Sequence, residues 1–277
     1  MILEKVARRA RYAYWRWRAE GRHVSVKRLG LHWRLSTTSC IERDLLLSGA
    51  FESETTNLLR DLVEPGMTVV DVGANIGYFT LQFAKAVGIS GQVWAFEPVH
   101  EYRQRIYEHL KLNSLGENVT VFPCGLSDQE NEQEINVGEA SATLHWTSSV
   151  VPPQAKILIQ LKTLDRIVSE QELDHLDLIK IDIDGHEPAF LRGATEIIRK
   201  FRPVIVIEMA QHCLHVAGSN VELLRKQLKD LDYVICNEST RSPFQTEMDF
   251  LFTCANYSHS ANVLAVHPSN CPESVSL

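Results

Sequence analysis

The stretch VVDVGANIGYF, Val69 to Phe79, constrains the fold more than any other part of the chain. Three valines and an acid lead into a loop with glycines at Gly73 and Gly77, and a helix-like run, Tyr78 to Val87, follows at once. Strand, glycine loop and helix in direct succession open a nucleotide-binding α/β unit. The first strand, predicted over Met67 to Val72, is a nearly continuous apolar run, as expected of a parallel strand covered on both faces.

The loop reads Asp-x-Gly-x-Asn-x-Gly rather than Gly-x-Gly-x-x-Gly. A carboxylate at Asp71 would repel a pyrophosphate and suits a ligand that carries positive charge. Gly73 and Gly77 allow close approach of backbone and ligand, and Asn75 tolerates left-handed geometry. The second strand, Gln92 to Phe96, ends in Glu97, twenty residues beyond Gly77. An acid there can accept from both hydroxyls of a ribose. Together these features point to S-adenosylmethionine, whose sulfonium and α-amino groups are cationic. The expected cofactor set is Asp71, Gly73, Asn75, Gly77, Phe79, Glu97 and Asp182, with Ser127 and Asp128 after the third strand (Val119 to Pro123) reading the adenine edge.

A helix is expected over Glu101 to Asn113 and an edge strand over Lys156 to Leu161. The fourth core strand, Leu178 to Ile183, runs into Asp182-Ile-Asp184-Gly-His186-Glu187, and the fifth, Pro203 to Glu208, also ends in an acid, followed by His212. Ligands of open α/β sheets bind at the carboxyl ends of strands, so these groups face the pocket that the first strand opens. Later strands are predicted at Tyr233 to Cys236 and Phe250 to Thr253. Asp184 and Glu187 equally suit helix capping and pairing with Lys180 or Arg192. SATLHW, Ser141 to Trp146, is a candidate substrate mouth, with His145 as a base candidate.

VVDVGANIGYFT, AFEP, LKTLDRIV, LIKIDIDGHEPAFLRGA and PVIVIEM, in this order and spacing, resemble the FkbM family of S-adenosylmethionine-dependent methyltransferases over roughly residues 45–253. The resemblance implies an α/β class I methyltransferase fold, Rossmann-like, with a seven-stranded, mostly parallel sheet and an antiparallel edge strand. It also implies methyl transfer to a hydroxyl oxygen of a small molecule, saccharide or glycoconjugate. The family more often has Glu where this chain has Asp184. An aliphatic hydroxyl is nearly as weak an acid as water and needs help to become nucleophilic. Two schemes fit. In one, Asp182, Glu187, His186 or His212 is the base. In the other, Asp182, Asp184 and Glu208 hold magnesium or calcium.

The charge is uneven. Residues 1–34 carry ten Lys/Arg against two acids, a net of +8, and the rest of the chain a net of −15. An acidic body matches a nucleic-acid backbone poorly, and the base-amine signature Asn/Asp-Pro-Pro-Tyr/Phe is absent from the fourth strand, so no nucleic-acid partner is expected. Residues 1–20 form an amphipathic pattern with a basic face, suited to packing on the domain or a twin subunit, or to a peripheral anionic membrane contact. Residues 23–36 read as a hairpin around Leu29-Gly30, and residues 41–62 as a helical stretch broken near Gly49. The expected organisation is an extension over 1–40, a methyltransferase domain over 41–265 and a flexible tail over 266–277. The six scattered cysteines suggest neither zinc site nor disulfides, and a cytoplasmic location is expected. The rival readings are a membrane-recruited regulatory or scaffold protein that binds the cofactor without catalysis, and an RNA methyltransferase.

Overall fold

The computed structural model describes residues 10, 13–14, 23–36, 39–138, 142–143 and 153–277. Most of the expected basic helix, and His145 with most of its neighbours, lie outside the described residues. Strands β1 (Val24–Arg28) and β2 (Leu31–Leu35) form the expected hairpin. Its turn places both Leu29 and Gly30 at positive φ, the geometry that matches the twist of a two-residue hairpin. Helices Cys40–Ser48 and Ser53–Leu62 follow, separated by a left-handed Gly49. The α/β succession then begins with β3 (Thr68–Val72), helix Tyr78–Val87, β4 (Gln92–Phe96), helix His100–Leu112 and β5 (Val119–Phe122).

An insertion follows. β6 (Gly125–Leu126), β7 (Asn131–Val137), β8 (Ala142–Thr143) and β9 (Ala155–Lys162) make a separate four-stranded sheet in the order β6-β9-β7-β8. The succession resumes with helix Leu164–Gln171, β10 (Leu178–Ile181), helices Glu187–Gly193 and Thr195–Phe201, β11 (Val204–Met209), helices Gln211–Val216 and Val221–Asp230, β12 (Val234–Asn237), helix Glu247–Cys254 and β13 (Ala261–Val266).

The main sheet has seven strands in the order β12-β13-β11-β10-β3-β4-β5. All pair in parallel except β13, which runs antiparallel to both neighbours. This is the seven-stranded class I methyltransferase topology. Side-chain alternation along each strand sorts the core onto two faces. Val69 joins the cluster under the hairpin and the helices Tyr78–Val87 and His100–Leu112, while Val70 and Val72 join the cluster under the helices that follow β9.

The hairpin belongs to this core. Leu31, Trp33 and Leu35 are buried in the same cluster as Val69, and burial of a leucine side chain stabilises by about 1.5–3 kcal/mol. Arg34 pairs with Glu108, Asn113 clasps His32, and the His109 ring lies within 3.1 Å of the Ile76 carbonyl oxygen and 3.3 Å of that of Arg34. Thus the hairpin is a side wall of the domain.

Two expectations are corrected. Phe250 to Thr253 is helix, not strand: Thr246 and Asp249 form a reciprocal capping box that starts a helix in front of this apolar run. The strand is Ala261–Val266, whose buried ANVLAV run pairs between β11 and β12. The end of the chain is also held, with a 3-10 turn at Pro268–Asn270 and Val275 buried against the hairpin-side cluster. Among the described residues, no helix is long and apolar enough to cross a membrane.

Candidate active site

A cleft of about 460 Å³ opens at the carboxyl ends of β3, β4, β10 and β11. That is within the size range of small-molecule sites, about 300–1,000 Å³. Gly73, Ala74 and Asn75 form its floor, Glu97 and Tyr102 one side, and Glu52, Asp182, Asp184 and Glu208 the other.

The floor is dictated by the loop sequence. Gly73 has φ +81, and a Cβ placed there would lie 2.0 Å from the carbonyl oxygen of Asp182. Only glycine lets β3 and β10 come this close at their ends. Asn75 is left-handed at φ 50, and its side-chain oxygen accepts from the Ile76 N–H at 2.9 Å. Gly77 at φ +86 caps the following helix beneath Ile106.

Glu97 is 4% exposed, and its two oxygens accept from the Asn75 and Val99 backbone N–H groups, each at 2.8 Å. Burial nevertheless pushes its carboxyl up to about 7. Each oxygen keeps a second lone pair, so the group retains acceptor capacity toward the cleft.

Asp71 does not line the cleft. It shares the face of Val69, where its Oδ2 accepts from Thr80 Oγ1 at 2.6 Å and its Oδ1 has no hydrogen-bond partner. It stands in register with Lys180, which is buried and reaches Asp182 at 2.9 Å while lying 4.6 Å above the Phe79 ring. Burial would lower the Lys180 pKa, but the carboxylates of Asp182, Asp71 and Glu52 outweigh it and hold the ammonium above its ordinary value. Phe79 lines the cleft and separates it from the apolar core.

Ser127 and Asp128 face a neighbouring groove on the far side of the Gly185-His186 turn. Asp128 is held by Arg192 at 2.7 Å, and Ser127 lies 3.0 Å from the His186 ring. Leu126, Ile135, Ile159 and Leu161 instead form an apolar wall beside Glu97, all four contributed by the small sheet.

Of the four base candidates, Asp182 and His186 line the cleft, and Glu187 and His212 do not. Glu187 is fully buried and turned back on its own loop, its Oε1 accepting from the Ile183 and Gly185 N–H groups. His212 sits on the first turn of its helix with Nδ1 buried and unpartnered. Among the described residues, no group of three His, Cys, Asp or Glu is close enough to hold a metal ion. Asp182, Asp184 and Glu208 share the cleft, but Asp182 is engaged by Lys180 and Glu208 bonds Ser260. They are not drawn together as a ligand set.

The carboxyls here are electrostatically crowded. Burial, reinforced by Asp182, pushes Asp184 and Glu52 up to about 7. Burial and the same neighbours raise Glu208 well above the ordinary range. Glu52 was not legible as a site residue in the sequence. It occupies a left-handed position ahead of helix Ser53–Leu62, a break the Gly49 interruption only hinted at, and its Oε2 accepts from Asn262 at 3.2 Å.

A model of the methyltransferase FkbM domain matches residues 71–235. Methyltransferase sdnD of Sordaria araneosa is 26% identical over 160 residues, 46% of this chain and 60% of that protein. The hexuronic acid methyltransferase AglP of Haloferax volcanii is 26% identical over 155 residues, 56% of this chain and 61% of that protein. The chain therefore spans about three fifths of the length of either relative. The crystal structure of methyltransferase FkbM from Methylobacillus flagellatus aligns with a TM-score of 0.46 at 19% identity, covering 82% of this chain and 52% of that one.

Proposed function

The chain belongs to the methyltransferase FkbM domain family, and from that premise we propose that it is an S-adenosylmethionine-dependent O-methyltransferase acting on a hydroxyl group of a small molecule, saccharide or glycoconjugate. The observation that carries this reading is the pairing, across one cleft, of a Gly73–Asn75 floor and Glu97 with carboxyls crowded enough to act as bases. The name of the Haloferax volcanii relative, a hexuronic acid methyltransferase, supports the saccharide part.

The residues fit the cofactor. Glu97 has acceptor capacity left for a ribose diol and would repel a phosphorylated ribose. The wall of Leu126, Ile135 and Leu161 suits an adenine ring, in place of the expected Ser127 and Asp128. The negative side of the cleft suits a sulfonium. When bound, the cofactor supplies an electrophilic methyl group. The chain's own task is to align the acceptor oxygen and take its proton, and alignment is the larger entropic gain. Asp182, held by Lys180, is suited to orienting a hydroxyl. Asp184, pushed up to about 7, is the better proton acceptor, because a general base is most effective with a pKa near the working pH.

Titration calorimetry with S-adenosylmethionine, followed by transfer of labelled methyl to a panel of hydroxylated acceptors, tests the reading. Absence of binding would overturn it, and binding without turnover would favour the scaffold reading. Glu97→Ala is expected to weaken cofactor binding by roughly 10–100-fold, since it removes charge-assisted hydrogen bonds of about 1.5–3 kcal/mol.

A pH profile tests the base. The active form of Asp184 is ionised, so kcat/KM is expected to rise with pH up to about 7 and then level off. Asp184→Asn should lower kcat by roughly 100–10,000-fold, the usual range for a general base, and abolish that limb. An unchanged profile would remove Asp184 from this role.

A further inference from the structure

A second groove, about 750 Å³, leads away from the cleft and meets it at Ser260. Its walls carry Glu54 and Glu238, and its rim carries Phe252, 89% exposed, and Tyr257, 60% exposed. No lysine or arginine is among the described residues that line it, and Lys180 is the sole one described in the cleft itself.

The hydrogen-bond partners of the carboxylates along this path are neutral, and the Lys180 ammonium acts on Glu52 without touching it. Glu54 accepts from Ser239 at 2.7 Å and Glu238 from Thr55 at 2.8 Å. Glu52 accepts from Asn262, and Glu208 bonds Ser260. Among the described residues, none of the four is in ion-pair contact with a lysine or arginine. Glu208 is 9% exposed, and its Oε2 has no hydrogen-bond partner. A carboxyl buried without a cation, as Glu208 is, is costly to ionise, and a cationic ligand removes that cost; Glu238 is half-buried and Glu54 exposed, and they lend the path a negative potential that attracts cations. Exposed aromatic faces beside them add cation–π attraction. Glu54 and Glu238 line the groove and not the cleft that the cofactor would fill.

We propose that the methyl acceptor carries a protonated amine, as an amino sugar does, and reaches the cleft along the Glu54–Glu238 groove with that amine directed to the carboxylates between Glu238 and Glu208. The inference rests on the methyltransferase reading and names the acceptor class for the same site. The raised carboxyls at Glu52 and Glu208 are consistent with it, since an arriving ammonium would stabilise their ionised forms.

The test uses the full chain saturated with S-adenosylhomocysteine and three matched probes: methyl glucosaminide, methyl glucoside and methyl glucuronide. Binding is followed by ligand-observed NMR at pH 7. The glucosaminide is expected to bind at least about tenfold more tightly than the glucuronide, with the glucoside between them. A tenfold ratio needs only one favourable charge contact. Glu54→Gln combined with Glu238→Gln should collapse the ratio, and Phe252→Ala, an exposed substitution, should weaken the amine probe by several fold. A glucuronide that binds as tightly, or a glucosaminide that does not bind, overturns the inference. S-adenosylhomocysteine titrated alone separates the two levels: if it does not bind, the methyltransferase reading falls and takes this one with it.

Discussion

Lys180→Met is expected to destabilise the protein by about 3–5 kcal/mol, the usual cost of removing one partner from a buried charge pair. In a chain of this size that is on the order of 10 °C in Tm. The side chain is buried, and its ammonium is the positive charge among Asp182, Asp71 and Glu52. Methionine fills a similar volume, so the loss is electrostatic rather than a cavity. Because the folded lysine pKa is raised, its contribution is complete at neutral pH and is lost only as pH climbs past that raised value. The orphaned carboxylates behave oppositely. Asp71 and Glu52 already sit above their ordinary range, so acid neutralises them, and the deficit of the variant should shrink as pH falls from about 7 toward 5. Denaturant unfolding at pH 5 and pH 8 measures this. Adding Asp71→Asn should restore part of the stability at pH 8. A deficit independent of pH would mean that the lysine acts by packing.

Gly73→Ala is expected to cost on the order of 3 kcal/mol in stability, combining left-handed backbone strain with overpacking. Cofactor affinity should fall by 100-fold or more. The new methyl meets the Asp182 carbonyl oxygen, which belongs to the exit of β10, so relief requires the two strand ends that frame the cleft to separate. Gly218→Ala is the control. It has a similar φ, +77, but no atom within 4 Å of the added carbon, so it meets the backbone strain alone. Calorimetry with S-adenosylhomocysteine on both variants separates displacement of the cleft from general strain. Equal affinities would show that the close approach of the strand ends is immaterial to binding.

What could be read from the sequence was local. The glycine loop, the acid ending β4 and the acids after β10 announce themselves through spacing along one strand-loop-helix unit, and the structure sets Gly73, Asn75, Glu97, Asp182 and Asp184 around one cleft. What could not be read depends on contacts distant in sequence. Ser127 and Asp128 follow the third strand as expected, but the intervening small sheet supplies the apolar wall and Arg192 draws Asp128 away. The charged residues of β7, NEQEINV, conceal a strand because only Ile135 of it is buried. Helical rotation carries His212 out of the cleft, although its position just after β11 is right. Phe250 to Thr253 has β-prone composition, and the cap upstream of it decides otherwise. Glu52 arrives through a turn between two helices, and no motif marks it.

His109 gives the hairpin a thermodynamic tie to the cofactor loop. The ring sits between the carbonyl oxygens of Arg34 and Ile76, one on each element, and Trp33 lies against it with ring centroids 5.1 Å apart. No residue of β1 or β2 lines the cleft. Opening the hairpin would nevertheless expose the imidazole and loosen Ile76, the residue between Asn75 and Gly77. The two segments thus form one cooperative unit. Free energy gained by any ligand that seats on the loop is then shared with a β-ribbon that it never touches, and substitutions at Trp33 become affinity mutations at a distance.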